Sequence, residues 1–348
     1  MESHDAAGTR SDVASEGGGI LTHQRSSNLR LLALAFALVV GLAIALGAML
    51  SAAQAAPFAS LKQFRVPTDN SQPRSITNGS DGNRWFTLGT ENVPSKIGRI
   101  TPAGDIIEFG PACDTCIVTD IIQGPSDVLY YTSNDPILGR ITTDGVILDP
   151  IEIPNSIAVA GDLAVDGNEI WFTDFNNDSL WRYDVGSGQF TQFNVPEPHD
   201  AVVDAAGFVW FTAPLEPGIG RLNPETREVM VTKTTLIPRQ LTIATDGDIW
   251  FTARFTPQGM GRVVPATGAV TEFPLTNVGP EGIAASPDGP VWFTQTTKGN
   301  IARITDDGVI TEGKVVKGSE PFGITVAPNG DPWYTMFETN KIATLQLR

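Results

Sequence analysis

From residue 60 onward the hydrophobic positions fall in short runs separated by Gly, Pro, Asp and Asn, which is the pattern of strands joined by turns rather than of long helices. The runs repeat. Trp-Phe-Thr or a close variant occurs at Trp85-Phe86-Thr87, Tyr130-Tyr131-Thr132, Trp171-Phe172-Thr173, Trp210-Phe211-Thr212, Trp250-Phe251-Thr252, Trp292-Phe293-Thr294 and Trp333-Tyr334-Thr335. The spacings are 45, 41, 39, 40, 42 and 41 residues, a period that marks a solenoid, propeller or array. Upstream of the aromatic pair stand tight-turn dipeptides such as Asp81-Gly82, Asp246-Gly247 and Asn329-Gly330. Downstream come Ile97-Gly98-Arg99-Ile100 and its counterparts at Leu138, Ile219, Met260 and Ile301. A second turn and an outer run such as Ala269-Val270-Thr271-Glu272-Phe273 complete the unit. Four short strands per roughly forty residues make a propeller blade.

The chain ends fit the same scheme. The seventh unit stops at its third strand, Lys341-Ile342-Ala343-Thr344-Leu345, and residues 61–66 read as a fourth strand with nothing before it. The expectation is an all-β, seven-bladed β-propeller over 56–348, closed by its N-terminal strand so that no long edge stays unpaired. The recurring aromatics read as packing between blades. Trp181, the Trp outside that register, replaces the Gly of the Gly-Arg pattern and reads as blade-edge packing.

The N-terminal segment changes the picture of location. Residues 31–50 carry no charge, follow Arg25 and Arg30, and precede Ala53-Gln54-Ala55, the order of a secretory signal cleaved after Ala55. The run is also long enough to span a bilayer, so a membrane anchor is the alternative. Residues 1–30 are polar and read as disordered, and cytoplasmic if 31–55 is an anchor. The whole chain carries 23 Lys+Arg against 39 Asp+Glu, net −16; losing residues 1–55 removes three Arg and four acids and leaves −15. Such an acidic surface argues against nucleic acid as a partner. Cys113 and Cys116 are too few to staple a domain of this size and read as a local disulfide in an exported chain.

The units Pro-x-Gly-Ile-Ala, Asp-Gly, Trp-Phe-Thr, Ile-Gly-Arg-Ile and Gly-x-Ile-Thr-Glu-Phe resemble those of the virginiamycin B lyase (streptogramin lyase) family over residues 61–348. The resemblance implies a seven-bladed propeller and a carbon-oxygen lyase that linearises a cyclic depsipeptide antibiotic, hence antibiotic resistance. It also implies a Mg ion with His and Glu at one mouth of the channel.

Strand geometry places two positions of each unit on that mouth: eleven residues before the Trp and three after it. The first ring reads Arg74, His199, Arg239, Glu281 and Phe322, with blades two and three too irregular to place; the second reads Leu88, Ser133, Asp174, Ala213, Ala253, Gln295 and Met336. Glu197-Pro198-His199 matches the family's Glu-x-His element, with Asp200 where Gly is usual and Ala213 where the family's lyases carry Glu. No second His follows the signal segment. As an enzyme, the chain would use His199 as base or metal ligand, Glu197 to orient it or share the metal, and Asp174 as a neighbouring carboxylate. As a binding module, it would hold a small sugar, peptide or cell-wall ligand at the same mouth through Arg74, Arg239, Arg254, Glu281, Gln295 and Glu320. Calcium-dependent lactonase propellers share the architecture by analogy, but no ligand set for calcium is evident. In either case the protein is expected to be a secreted or extracytoplasmic monomer that meets the membrane only through residues 31–50, if these remain.

Overall fold

The computed structural model describes residues 60–113, 116–154 and 161–347. The polar stretch 1–30 and the expected signal or anchor at 31–55 lie outside the described residues. Seven four-stranded antiparallel sheets account for almost all secondary structure. The first blade is formed by Ile76–Asn78, Arg84–Thr90, Val93–Ile100 and Ile106–Phe109 in spatial order from the channel outward. Blades two to six repeat that order over 118–152, 163–194, 201–233, 241–275 and 280–312. The seventh contains Pro321–Val326, Pro332–Met336 and Lys341–Gln346, and its outer strand is Ser60–Arg65, paired from Ser60 against Gln346 to Arg65 against Lys341. Among the described residues no helix is long and apolar enough to cross a membrane.

The register explains the repeat residue by residue. In six blades the second aromatic lies opposite a small residue on the third strand: Phe86 with Gly98, Tyr131 with Gly139, Phe211 with Gly220, Phe251 with Gly261, Phe293 with Ala302 and Tyr334 with Ala343. A Cβ added at Gly261 would lie closer to Phe251 Cζ than van der Waals contact allows, so the ring covers the neighbouring backbone directly. In blades one to six the first aromatic lies opposite Arg, and in the seventh Trp333 lies opposite Thr344; the guanidinium carbons of Arg99, Arg221 and Arg262 sit 5.5, 5.5 and 5.6 Å from the centroids of Trp85, Trp210 and Trp250. Each such stack contributes about 0.5–1 kcal/mol at a partly exposed site.

The Thr of the tripeptide joins blade to blade. Thr252 Oγ1 accepts from Gln240 N in its own inner segment and donates to Glu281 O of the next blade, at 3.2 and 2.7 Å. Thr173, Thr212, Thr294 and Thr335 do the same to His199 O, Arg239 O, Phe322 O and Arg74 O. The last of these bonds runs from the seventh blade back to the first. A hydroxyl is needed because it can donate and accept at once.

Two expectations change. Trp181 is not at a blade edge: it is 5% exposed and stacks on Phe172, with ring centroids 6.3 Å apart and 5° between planes, filling the place that Gly leaves to the ring elsewhere. The second ring, three residues after each Trp, is not a polar rim either. Leu88, Ser133, Asp174, Ala213, Ala253, Gln295 and Met336 are all buried, because the second strand of each blade lies between the inner and third strands.

Candidate functional site

Each blade's inner segment begins on a backbone fixed from two sides. His199 N donates to Thr212 O of its own blade, and His199 O accepts from Thr173 of the preceding one. Arg239 is held in the same way by Thr252 O and Thr212 Oγ1, and Arg74 by Thr87 O and Thr335 Oγ1. In blade three the equivalent bond is Gly161 N to Thr173 O, one residue later than the eleven-residue spacing places it. These starts line one channel cavity of about 550 Å³, with Arg74, His199, Arg239 and Phe322 around it.

The side chains there form a connected chain of charge. Arg239 Nη1 lies 2.7 Å from His199 Nδ1, and Arg239 Nε donates to Glu281 Oε1 at 3.0 Å. Arg254 Nη1 donates to Glu281 Oε2 at 2.9 Å. Glu281 is 0% exposed, and both of its oxygens are met by guanidinium groups. Arginine offers donors alone, so Nδ1 of His199 must accept, and neutral His199 then carries its hydrogen on Nε2. Burial, and next the Arg239 charge, hold the His199 pKa below its ordinary value, against the opposing pull of Asp162 and Glu281. The imidazole is therefore neutral and offers an N–H.

One residue further along the inner segments lie three acids that the ring spacing did not single out: Asp120, Asp162 and Asp200, all lining the cavity. Asp200 Oδ1 accepts from Ala201 N at 2.7 Å and Oδ2 from Leu241 N of the next blade at 2.8 Å. Asp120 Oδ2 likewise accepts from Leu163 N across the blade boundary at 2.8 Å, and its Oδ1 from Ser75 Oγ. Asp162 Oδ2 lies 3.9 Å from His199 Nδ1 and 3.4 Å from Gln240 Nε2. Burial and then the neighbouring Asp162 charge push Asp120 up to about 7 and Asp200 well above the usual carboxylate range. The Asp200 that departs from the family's Gly thus ties blade four to blade five.

The remaining candidates do not meet at His199. Asp174 accepts from Asn177 Nδ2 at 3.0 Å and from Trp181 Nε1 at 3.3 Å, within its own blade. The contact from that loop to His199 is made by Phe175, edge-on at 6.2 Å between ring centroids. Glu197 has φ of 41°, which turns it away from the channel: its N–H donates to Asp178 Oδ1, and it lines a second cavity of about 530 Å³ with Ala213 and Leu215. Glu320, at the matching place in blade seven, has φ of 43° and is exposed. Gln295 is buried, with Oε1 unpartnered among the described residues. Cys113 and Cys116 are disulfide-bonded, with Cα atoms 5.7 Å apart, in the connection leading into blade two. Among the described residues no three His, Cys, Asp or Glu side chains are grouped to hold a metal ion.

The model of the virginiamycin B lyase family matches residues 54–229 and 224–348. A virginiamycin B lyase of Nocardia farcinica (strain IFM 10152) is 28% identical over 216 residues, covering 56% of this chain and 71% of that protein. The structure of a streptogramin B lyase superposes with a TM-score of 0.75 at 26% identity, over 83% of this chain and 98% of that one. A catalytically inactive virginiamycin B lyase from Staphylococcus aureus with quinupristin gives 0.74 and 26%, over 83% and 99%.

Proposed function

The chain belongs to the virginiamycin B lyase family, and from that premise we propose that it is an exported monomeric propeller which binds a small peptide-like or sugar ligand at the channel mouth without eliminating it. The hydrogen bond from Arg239 to His199 Nδ1 carries this reading. A general base needs a free lone pair facing the proton it takes. Here the lone pair of the neutral imidazole is engaged by Arg239, and the remaining Nε2–H, with Arg74 and Arg239, makes the mouth a set of donors. Elimination would also call on the two carboxylates expected beside His199, whereas Asp174 bonds within its own blade and Glu197 lines the second cavity. The same arrangement does not fit a Mg ion, since the guanidinium of Arg239 stands where a cation on His199 Nδ1 would be, and no step of this function runs through one.

Carbon-oxygen lyase activity is the second reading, favoured by the 26% identity to a streptogramin B lyase over nearly the whole of that structure. One pair of measurements separates the two. Residues 56–348 incubated with a type B streptogramin and Mg ion are expected to leave it cyclic by mass spectrometry; linear product that disappears in His199→Ala would overturn the binding reading in favour of the lyase. A thermal-shift screen of sugars, peptides and cell-wall fragments is expected to find a stabilising compound whose effect is lost in Arg239→Ala. Persistence of the effect in that variant would place the ligand elsewhere.

A further inference from the structure

Three guanidinium groups meet at the mouth, those of Arg74, Arg239 and Arg254, and the carboxylates there are engaged elsewhere: Glu281 by Arg239 and Arg254, Asp120 and Asp200 by the backbone N–H groups of Leu163 and Leu241, and Asp162 by Gln240. Arg74 is therefore left over. Among the described residues no carboxylate bonds to it, its Nε is buried without a partner, and its guanidinium carbon lies 5.8 and 5.1 Å from the ring centroids of Phe322 and Phe337. Burial, and after it the like charge of Arg239, lower its pKa against the opposing pull of Glu281.

Its position is not slack. Arg74 N donates to Thr87 O, and Arg74 O accepts from both Gly323 N and Thr335 Oγ1 at 2.9 and 2.7 Å. Gly323 has no room for a Cβ against that carbonyl, so the seventh blade presses directly on the first. A partly desolvated cation is thus held beside a second cation, in a cavity large enough for a ligand, with Phe322 and Phe337 beside it and no carboxylate bonded to it among the described residues.

From this we infer that the channel mouth contains a carboxylate-binding subsite, in which Arg74 and Arg239 receive the carboxylate of a small ligand whose apolar body lies along Phe322 and Phe337. The inference rests on the mouth being a ligand site, as proposed above, and names the chemistry of what enters it. A planar carboxylate matches the fork of guanidinium donors and relieves the repulsion between the two arginines. The aromatic wall favours an anion with a flat apolar back over a compact, strongly hydrated one such as phosphate.

Titration calorimetry at low ionic strength with benzoate, benzamide and inorganic phosphate tests it. Benzoate is expected to bind saturably, at least tenfold more tightly than either of the others, and at least tenfold more weakly to Arg74→Gln. Arg74→Lys should keep part of the affinity, and Phe337→Ala should lose affinity for benzoate with every charge in place, so the test survives if Arg74→Gln does not fold. No saturable benzoate binding, equal binding of benzamide, tighter binding of phosphate, or an unchanged constant in Arg74→Gln would each overturn the subsite. A neutral compound that binds the wild type and loses its effect in Arg239→Ala would overturn the carboxylate assignment while leaving the mouth a ligand site. If no compound binds in that way either, both readings fall together.

Discussion

The seam between blades and the lining of the channel are built from neighbouring residues of the same repeat, yet they behave oppositely around the ring. At the seam, aromatic, small residue and Thr recur from blade to blade with the same partners. At the start of the inner segments, the equivalent positions hold Arg74, Gly161, His199, Arg239, Glu281 and Phe322, no two adjacent ones alike. Uniformity marks what closure of the ring demands everywhere, because each interface poses the same packing problem. Diversity marks positions released from that demand, where charge of both signs can be placed against an asymmetric ligand. The backbone under both is one structure: the Thr that repeats holds the carbonyl of the residue that varies.

The largest way to break the seam is to empty it. Phe251 is fully buried against Gly261, and Phe251→Ala is expected to cost about 3–5 kcal/mol, read as a fall in denaturation midpoint. Phe211→Ala should cost a similar amount, since its partner Gly220 stands in the same register; a cost several-fold smaller would mean that the repeat is not energetically uniform. Next in size is the point where the channel lining has become structural. Glu281→Gln leaves Arg239 and Arg254 facing an amide that cannot balance their charge, and is expected to cost about 2–3 kcal/mol by chemical denaturation. His199→Ala, at a residue with a third of its side chain exposed, should change stability far less, so the pair of variants separates the two roles within one ring.

Thr252→Val keeps the shape of the seam and removes its hydrogen bonds to Gln240 N and Glu281 O. About 1–2 kcal/mol is the expected loss, with the same size at Thr212, whose bonds run to Asp200 N and Arg239 O. Equal losses at the two would confirm that the repeat carries the closure; a loss at one alone would show that the variable residue it holds decides the strength of the joint.

The sequence made the seam readable because a period near forty, with aromatics in register, has few structural solutions. The Thr of Trp-Phe-Thr repeats as faithfully as the aromatics, but its role was invisible in one dimension: its second bond goes to the backbone of the following blade, a partner that only the closed ring brings within reach. The channel lining was legible only in part. Arg74, His199, Arg239 and Glu281 do gather at one mouth, as the spacing from each Trp suggested. Asp120, Asp162 and Asp200 escaped because they lie one residue further on, and in blade three the start is itself displaced by one. Glu197 was misplaced for a local reason. Two residues from His199 in an extended chain would share its face, but the left-handed backbone at Glu197 breaks that alternation and turns the carboxylate into another cavity. A Glu at the matching place in blade seven, also with positive φ, was the available hint.

The smallest effect, and the one that probes the acids alone, is a pH dependence. Asp120 is pushed up to about 7 by burial and by Asp162, so between its unfolded value near 4 and about 7 the folded protein holds a proton that the unfolded chain has released. Folding is therefore favoured by this group as pH falls through that window, and its contribution is least favourable above 7. His199, lowered by burial and Arg239, acts in the opposite sense: the unfolded chain takes up its proton first as pH falls below 6.5. The two are separated by comparing Tm of the wild type with Asp120→Asn, which still contains His199. The difference, wild type minus variant, is expected to rise by a few degrees from pH 8 to pH 5, superimposed on a constant offset from the hydrogen bond to Ser75 or Leu163 that an amide cannot keep. A flat difference would mean that Asp120 titrates as an ordinary surface acid, and that the channel wall beneath the arginines is fully charged at neutral pH.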